Sequence, residues 1–216
     1  MAANQNATFN RQKFSLFKIR CLTSISNSIN QLSRYSPKRL KATILLQYYQ
    51  MNYTVRRLQR KDIAEYLALT QYTDSETDFL GSDPTDPRPS VLRILSSMKE
   101  ERQVLFVAAN ANGLIGHLGG FWRRGKNPRL GHCMNVGLAI AKDYWGNGIG
   151  NALMDAFEQW ATEHKIVRLE LEVMTHNERA VALYKKRGFE IEGTKKKSIC
   201  INGEYLDEYL MAKLID

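Results

Sequence analysis

Residues 143–157 read DYWGNGIGNALMDAF: a tryptophan, three glycines at alternate positions and then apolar residues at helical spacing. Upstream, Cys133–Ala141 has the apolar content of a strand. Downstream, Ile149, Leu153, Ala156, Phe157 and Trp160 fall on one face of a helix that should run to about Glu163. A strand passing through Gly146, Gly148 and Gly150 into a helix aims several backbone N–H groups at one spot, with no side chains in the way. The helix dipole is positive there, so an anion can approach closely, and phosphate is the natural candidate. A tight strand-to-helix turn would by itself favour one or two glycines, so the loop alone does not decide the matter.

The dinucleotide-binding register fails. GxGxxG needs a third glycine where Asn151 stands, and its loop follows the first strand of its unit, whereas this one follows several. Working outward, RLELEVMT (168–175) alternates as a strand. NERAVALYKKRG (177–188) is a helix with Asn177 as N-cap and Gly188 as terminator. The chain closes on a hairpin about Asn202-Gly203. Toward the N-terminus, Val104–Ala109 and Leu114–Trp122 form a hairpin about Asn110–Gly113. Thr54–Leu58 reads as a strand, Lys61–Thr70 as an amphipathic helix, and residues 73–90, with three prolines and five acidic residues, as a loop that ends at a helix start. The order β-α-α-β-β-β-α-β-α-β-β predicts an α/β (α+β) fold with a mixed sheet flanked by helices.

The net charge of +9 suggests nucleic acid until it is mapped. Residues 1–50 hold eight basic residues and no Asp or Glu, and the remainder is close to neutral. We therefore expect a basic, acid-free N-terminal extension (1–50), flexible and not needed by the folded domain (51–216). A targeting peptide and a nucleic-acid arm are the other readings of it, the arm being disfavoured because aromatic and basic residues do not interleave. Cys21, Cys133 and Cys200 are odd in number and widely spaced, which fits reduced thiols in a cytoplasmic protein. The histidines and cysteines show no metal-ligand spacing. No apolar run has the length of a membrane span.

VGLAIAKDYWGNGIGNALM (136–154) followed by LELEVMTHNERAVALYKKRGF (169–189) resembles the GCN5-related N-acetyltransferases. The likeness extends less specifically over about residues 53–216 and is strongest to the small bacterial members. It implies a mostly antiparallel sheet, acetyl-CoA as cosubstrate and direct acetyl transfer to a primary amine, of a small molecule or of a protein or peptide N-terminus. It implies that Trp145, Gly146, Asn147, Gly148, Ile149, Gly150 and Asn151 cradle the CoA pyrophosphate. The backbone of Leu138 and Ile140 would run beside the pantetheine arm, and Asn177 would touch the cofactor. The family's loop usually begins with Arg or Gln, and here Trp145 stands in that place. Homodimers are common among similar proteins; these residues leave the oligomeric state open.

Acetyl transfer needs a neutral amine, a site for the developing oxyanion, a proton acceptor, and a donor for the departing thiolate. The resemblance implies that an exposed main-chain N–H near Ile140 serves the oxyanion and that Tyr184 stands beside the sulfur as general acid. Glu172 matches a glutamate that acts as base in some ribosomal-protein acetyltransferases. Each residue also has a plainer reading: Tyr184 as a packing aromatic, Asn177 as a helix cap, Glu172 as a solvated strand residue. Where many family members carry an acid in the preceding strand, this chain has Asn135, so a water relay and His132 stay open as the base. The same gap keeps alive a catalytically weak acyl-CoA-binding sensor. The acidic loop, with Asp74, Glu76, Asp78, Asp83 and Asp86, either attracts a cationic acceptor or caps turns.

Overall fold

A computed structural model of the chain describes residues 52–83, 85–100, 102–122 and 128–215. The expected extension 1–50 lies outside them. Val55–Ala108 and Leu114–Asp216 make one compact unit, which contains every residue of the site discussed below. Ala109–Gly113, the turn between the second and third strands, is grouped apart from it. In that turn the Asn110 side chain accepts the Asn112 N–H at 2.8 Å, and Gly113 takes a φ of 119°.

Seven strands form one sheet: β1 (Thr54–Arg57), β2 (Gln103–Asn110), β3 (Gly113–Phe121), β4 (Cys133–Ile140), β5 (Arg168–Met174), β6 (Glu190–Ile201) and β7 (Glu204–Leu214). Their spatial order is β1-β2-β3-β4-β5-β7-β6. The β3–β4, β5–β7 and β6–β7 pairs are antiparallel, and β4–β5 is parallel. Among the described residues four helices flank the sheet: α1 (Ile63–Glu76), α2 (Val91–Lys99), α3 (Ile149–Glu163) and α4 (Glu178–Lys186). β2 is buried over Val104–Ala108, as a central strand covered on both faces must be. The edge strand β6 carries Lys195, Lys196 and Lys197 beside a register shift, which discourages further strand pairing. The closing hairpin turns at Asn202 (φ 51°) and Gly203 (φ 85°), the pair of positive φ values that an Asn-Gly turn supplies.

α1 differs from its sequence reading at both ends. It starts two residues later, because Arg60–Asp62 first makes a 3-10 turn, with the Asp62 carboxylate accepting the Gln59 N–H at 2.9 Å and pairing with Arg56. It then runs on to Glu76, through a segment whose Thr, Asp and Ser content favours turns. Burial of Leu69, Thr73 and Asp74 prevails over that preference. The Thr70 and Thr73 hydroxyls donate back to the Leu67 and Thr70 carbonyls, at 2.9 and 3.0 Å.

α3 places Ile149, Leu153, Met154, Phe157 and Ala161 in the core. Phe157 crosses β3 at Gly120 so closely that a Cβ there would lie 2.3 Å from Phe157 Cε2 and 3.0 Å from Met134 Cε. Since Phe157 is fully buried, it has no free volume to retreat into. Gly120→Ala is therefore expected to destabilise the fold by about 1–3 kcal/mol or more, the cost of overpacking a filled core. An unchanged urea midpoint would show that the ring yields. On the far side of α3, Arg187 pairs with Asp155 (2.5 Å) and Glu158 (2.8 Å), while Lys213 pairs with Glu158 (2.8 Å). These contacts lash α3, α4 and β7 together and hold α4 at a set distance from the glycine loop.

Candidate active site

The β4–β5 ladder is short, matching only Cys133–Asn135 with Arg168–Glu170. Beyond it the two strands separate. The Ala141 N–H donates to the Ile115 carbonyl on β3 at 3.0 Å. By strand alternation, the N–H and C=O groups of Leu138 and Ile140 point the other way, into the gap. A cleft of about 380 Å³ opens beside β4 here, lined by Leu138, Ala139 and Ile140 together with residues of α1, the glycine loop, α3 and α4.

The head of the cleft is the glycine loop. Gly146 (φ 79°) and Gly148 (φ 77°) take the left-handed backbone that lets the chain double back into α3. Gly150 serves another purpose: a Cβ there would press on Leu183 Cδ2 at 3.0 Å, where α3 meets α4. Ser90 caps α2 and Asn177 caps α4, each accepting a backbone N–H at 3.2 Å, whereas α3 begins at Gly148 with no side-chain cap. The N–H groups at the start of α3 thus have no side-chain cap.

Of the residues expected to bind cofactor, Leu138, Ile140, Trp145, Gly146, Gly148, Ile149, Gly150, Asn151 and Asn177 line this cleft, and Tyr184 lines it with them. Asn147 does not; its side-chain amide donates to the Trp145 carbonyl at 3.4 Å. Asn177 caps α4 and lines the cleft at once. The Tyr184 hydroxyl has no protein partner among the described residues, and burial pushes its pKa up to about 12, so the phenol keeps its proton. Its ring is fixed against Phe189, with centroids 5.6 Å apart.

Glu172 is not part of the lining. It sits on β5 with its carboxylate 2.8 Å from Lys195 Nζ, which also approaches Glu208 at 3.7 Å. Strand alternation turns it to the same face of the sheet as Glu170 and Asn135. His132 stands before β4, outside the lining, with its carbonyl accepting the Val167 and Arg168 N–H groups. Behind β4, His117 packs edge-on to Tyr66 at 5.0 Å, its Nδ1 out of solvent and unpaired. Burial pushes its pKa down to about 4 and keeps it neutral.

Several lining residues were not singled out in the sequence: Thr73, Phe79, Tyr144, Arg179 and Leu183. Most of the acidic loop is used internally. Asp74 pairs with Arg88 at 2.5 Å, yet desolvation still raises its pKa. Asp83 and Asp86 close a turn, Asp83 accepting from Thr85 and Asp86 accepting the Asp83 N–H. Glu76 reaches the cleft and accepts the Lys142 N–H at 2.8 Å, tying the end of α1 to the loop. Trp145 also acquires a physical reason. Its indole N–H donates to the Ile140 carbonyl at 2.7 Å, and the Arg179 guanidinium lies 4.7 Å from its ring centroid.

The mixed sheet, the gap at β4–β5 and the uncapped glycine loop are those of an acyl-CoA-dependent acyltransferase fold. The Acetyltransferase (GNAT) family model matches residues 67–189, and the chain belongs to that family. It is similar to the L-amino acid N-acetyltransferase AaaT of Escherichia coli, 39% identical over 90 residues that cover 41% of this chain and 56% of that protein. The match therefore spans little more than half the length of that relative. It is also similar to the N-alpha-acetyltransferase RimI of Mycobacterium tuberculosis, 28% identical over 135 residues, 62% of this chain and 78% of that one. Among solved structures, a GNAT-family acetyltransferase from Streptococcus pneumoniae superimposes with a TM-score of 0.71 at 30% identity, covering 76% of this chain and all of that one. The YncA structure from Salmonella typhimurium, which shares the fold (TM-score 0.67, 15% identity), was solved with its cofactor acetyl-CoA. Among the described residues no helix is long and apolar enough to cross a membrane.

Proposed function

We propose that the domain formed by residues 51–216 is an N-acetyltransferase that moves the acetyl group of acetyl-CoA directly to a primary α-amine, that of a free amino acid or a peptide N-terminus. One observation carries this reading: the uncapped start of α3, Tyr184 and Leu138–Ile140 of β4 line the same cleft. The names of the two relatives, both acting on amino nitrogens, support the acceptor class. Acetyl-CoA as donor, available in the cytoplasm, fits the anion cradle at the start of α3.

In this reading the diphosphate rests on the N–H groups of Ile149, Gly150 and Asn151. The pantetheine arm takes the place of the missing strand beside Leu138 and Ile140. The acceptor nitrogen attacks the thioester carbon; the C–N bond forms and the C–S bond breaks. The Ile140 N–H, turned away from β3 by strand alternation, holds the oxyanion. Tyr184 gives its proton to the leaving sulfur. Glu172, turned to the opposite face of the sheet from α3, takes the proton shed by the amine through water.

The deciding experiment is thermal melting with acetyl-CoA, followed by an acetylation assay on a panel of amino acids and peptides. At 100 times its dissociation constant, a ligand adds about 2.7 kcal/mol of stability. A flat melting curve at millimolar acetyl-CoA would sink the proposal. A shift without turnover on any amine would favour the catalytically weak acyl-CoA sensor instead.

A further inference from the structure

Arg179 is the second residue of α4, in the turn where a cation is disfavoured by the helix dipole. Among the described residues it has no carboxylate partner. Its guanidinium rests on the Trp145 ring at 4.7 Å, at the rim of the cleft, and Lys142 Nζ lies 6.0 Å from the same ring. The ring itself is held, since its N–H is spent on the Ile140 carbonyl at 2.7 Å. This bond removes an exposed acceptor from the cleft, one that would repel an anion, and turns the indole face into a fixed shelf for the cation. The uncapped N–H groups of α3 face the same rim. An unpaired cation set against its own helix dipole, beside free amide donors, is placed to meet an anion.

Resting on the reading of the cleft as the acetyl-CoA site, we propose that Arg179, shelved on Trp145, takes the negative charge of the cofactor's phosphates. It thereby sets the preference for CoA thioesters over thioesters that lack phosphate. Trp145 acts as its positioning residue.

Calorimetric titration of the full chain with acetyl-CoA and with S-acetylpantetheine, which has no phosphate, tests this. Arg179→Ala is expected to weaken acetyl-CoA binding about ten- to a hundredfold at low salt while leaving S-acetylpantetheine unchanged. Arg179→Lys should fall between, because it keeps the charge and loses the planar fork. Trp145→Phe keeps the shelf but frees the Ile140 carbonyl, and it should cost acetyl-CoA several-fold. High salt should narrow the gap between the native protein and Arg179→Ala. Arg179→Ala binding acetyl-CoA like the native protein, or losing both thioesters alike, overturns the proposal. If Arg179→Ala keeps the full preference for acetyl-CoA, the cleft reading stands and this inference falls; if the native protein binds both thioesters equally well, the phosphates contribute nothing and both fall. If it binds neither, the cleft reading itself fails, and the inference with it.

Discussion

Replacing Tyr184 by phenylalanine is expected to lower kcat about 10²–10⁴-fold, the usual worth of a positioned general acid, with little change in acetyl-CoA affinity. The variant keeps the ring that packs against Phe189 and removes only a hydroxyl that has no protein partner among the described residues, so the fold should be unaffected. On the proposed mechanism, what it removes is the proton for the departing sulfur. Burial has pushed the Tyr184 pKa up to about 12, so the native phenol stays protonated well past neutrality. Loss of that proton should therefore cause no fall in rate up to about pH 10, and a decline would begin only as pH approaches 12. Steady-state kinetics and a pH–rate profile check both statements. An unchanged kcat would mean that solvent protonates the thiolate and that Tyr184 is packing alone.

Gly148→Val is expected to abolish measurable acetyl-CoA binding. Gly148 holds a φ of 77° at the start of α3, and a β-branched residue is a genuine outlier there. Keeping that backbone costs roughly 1–3 kcal/mol; relaxing it swings the following amides away from the cleft. The relaxed backbone removes several charge-assisted hydrogen bonds at once, each contributing about 1.5–3 kcal/mol. Circular dichroism should show an intact sheet while calorimetry shows no heat of binding. Native-like affinity would mean that the phosphates sit elsewhere.

The fold was legible in the sequence wherever a local rule spoke for itself. Asn177 and Gly188 bracket α4, Asn202-Gly203 turns the last hairpin, and the apolar spacing from Ile149 marks the whole of α3. It was illegible where distant burial prevailed. The end of α1 reads as turn-forming, and only the packing of Thr73 and Asp74 keeps it helical. The candidate site divides in the same way. The glycines and Tyr184 carry a pattern, but Glu76 joins the cleft through a hydrogen bond to Lys142, 66 residues away, and no local spacing announces that. Arg179 could have been found: with Asn177 as cap, Ala180 and Tyr184 three and seven residues on define the inward face, and Arg179 sits at its edge. Glu172 is legible in its motif but not in its surroundings: the geometry gives it Lys195 as a partner and sets it outside the cleft lining, so on the proposed mechanism only water links it to the amine.

The short parallel ladder between β4 and β5 has a further consequence. With three residue pairs joining them, the two halves of the sheet share a narrow seam, and past it each half presents a raw edge of backbone donors and acceptors. On the proposed reading, a peptide-like chain lying in the cleft would cover the edge of β4 as an added strand would. In that sense a pantetheine arm is a missing piece of secondary structure. Its arrival and departure would complete and reopen the middle of the sheet, so turnover and the solidity of the protein would rise and fall together.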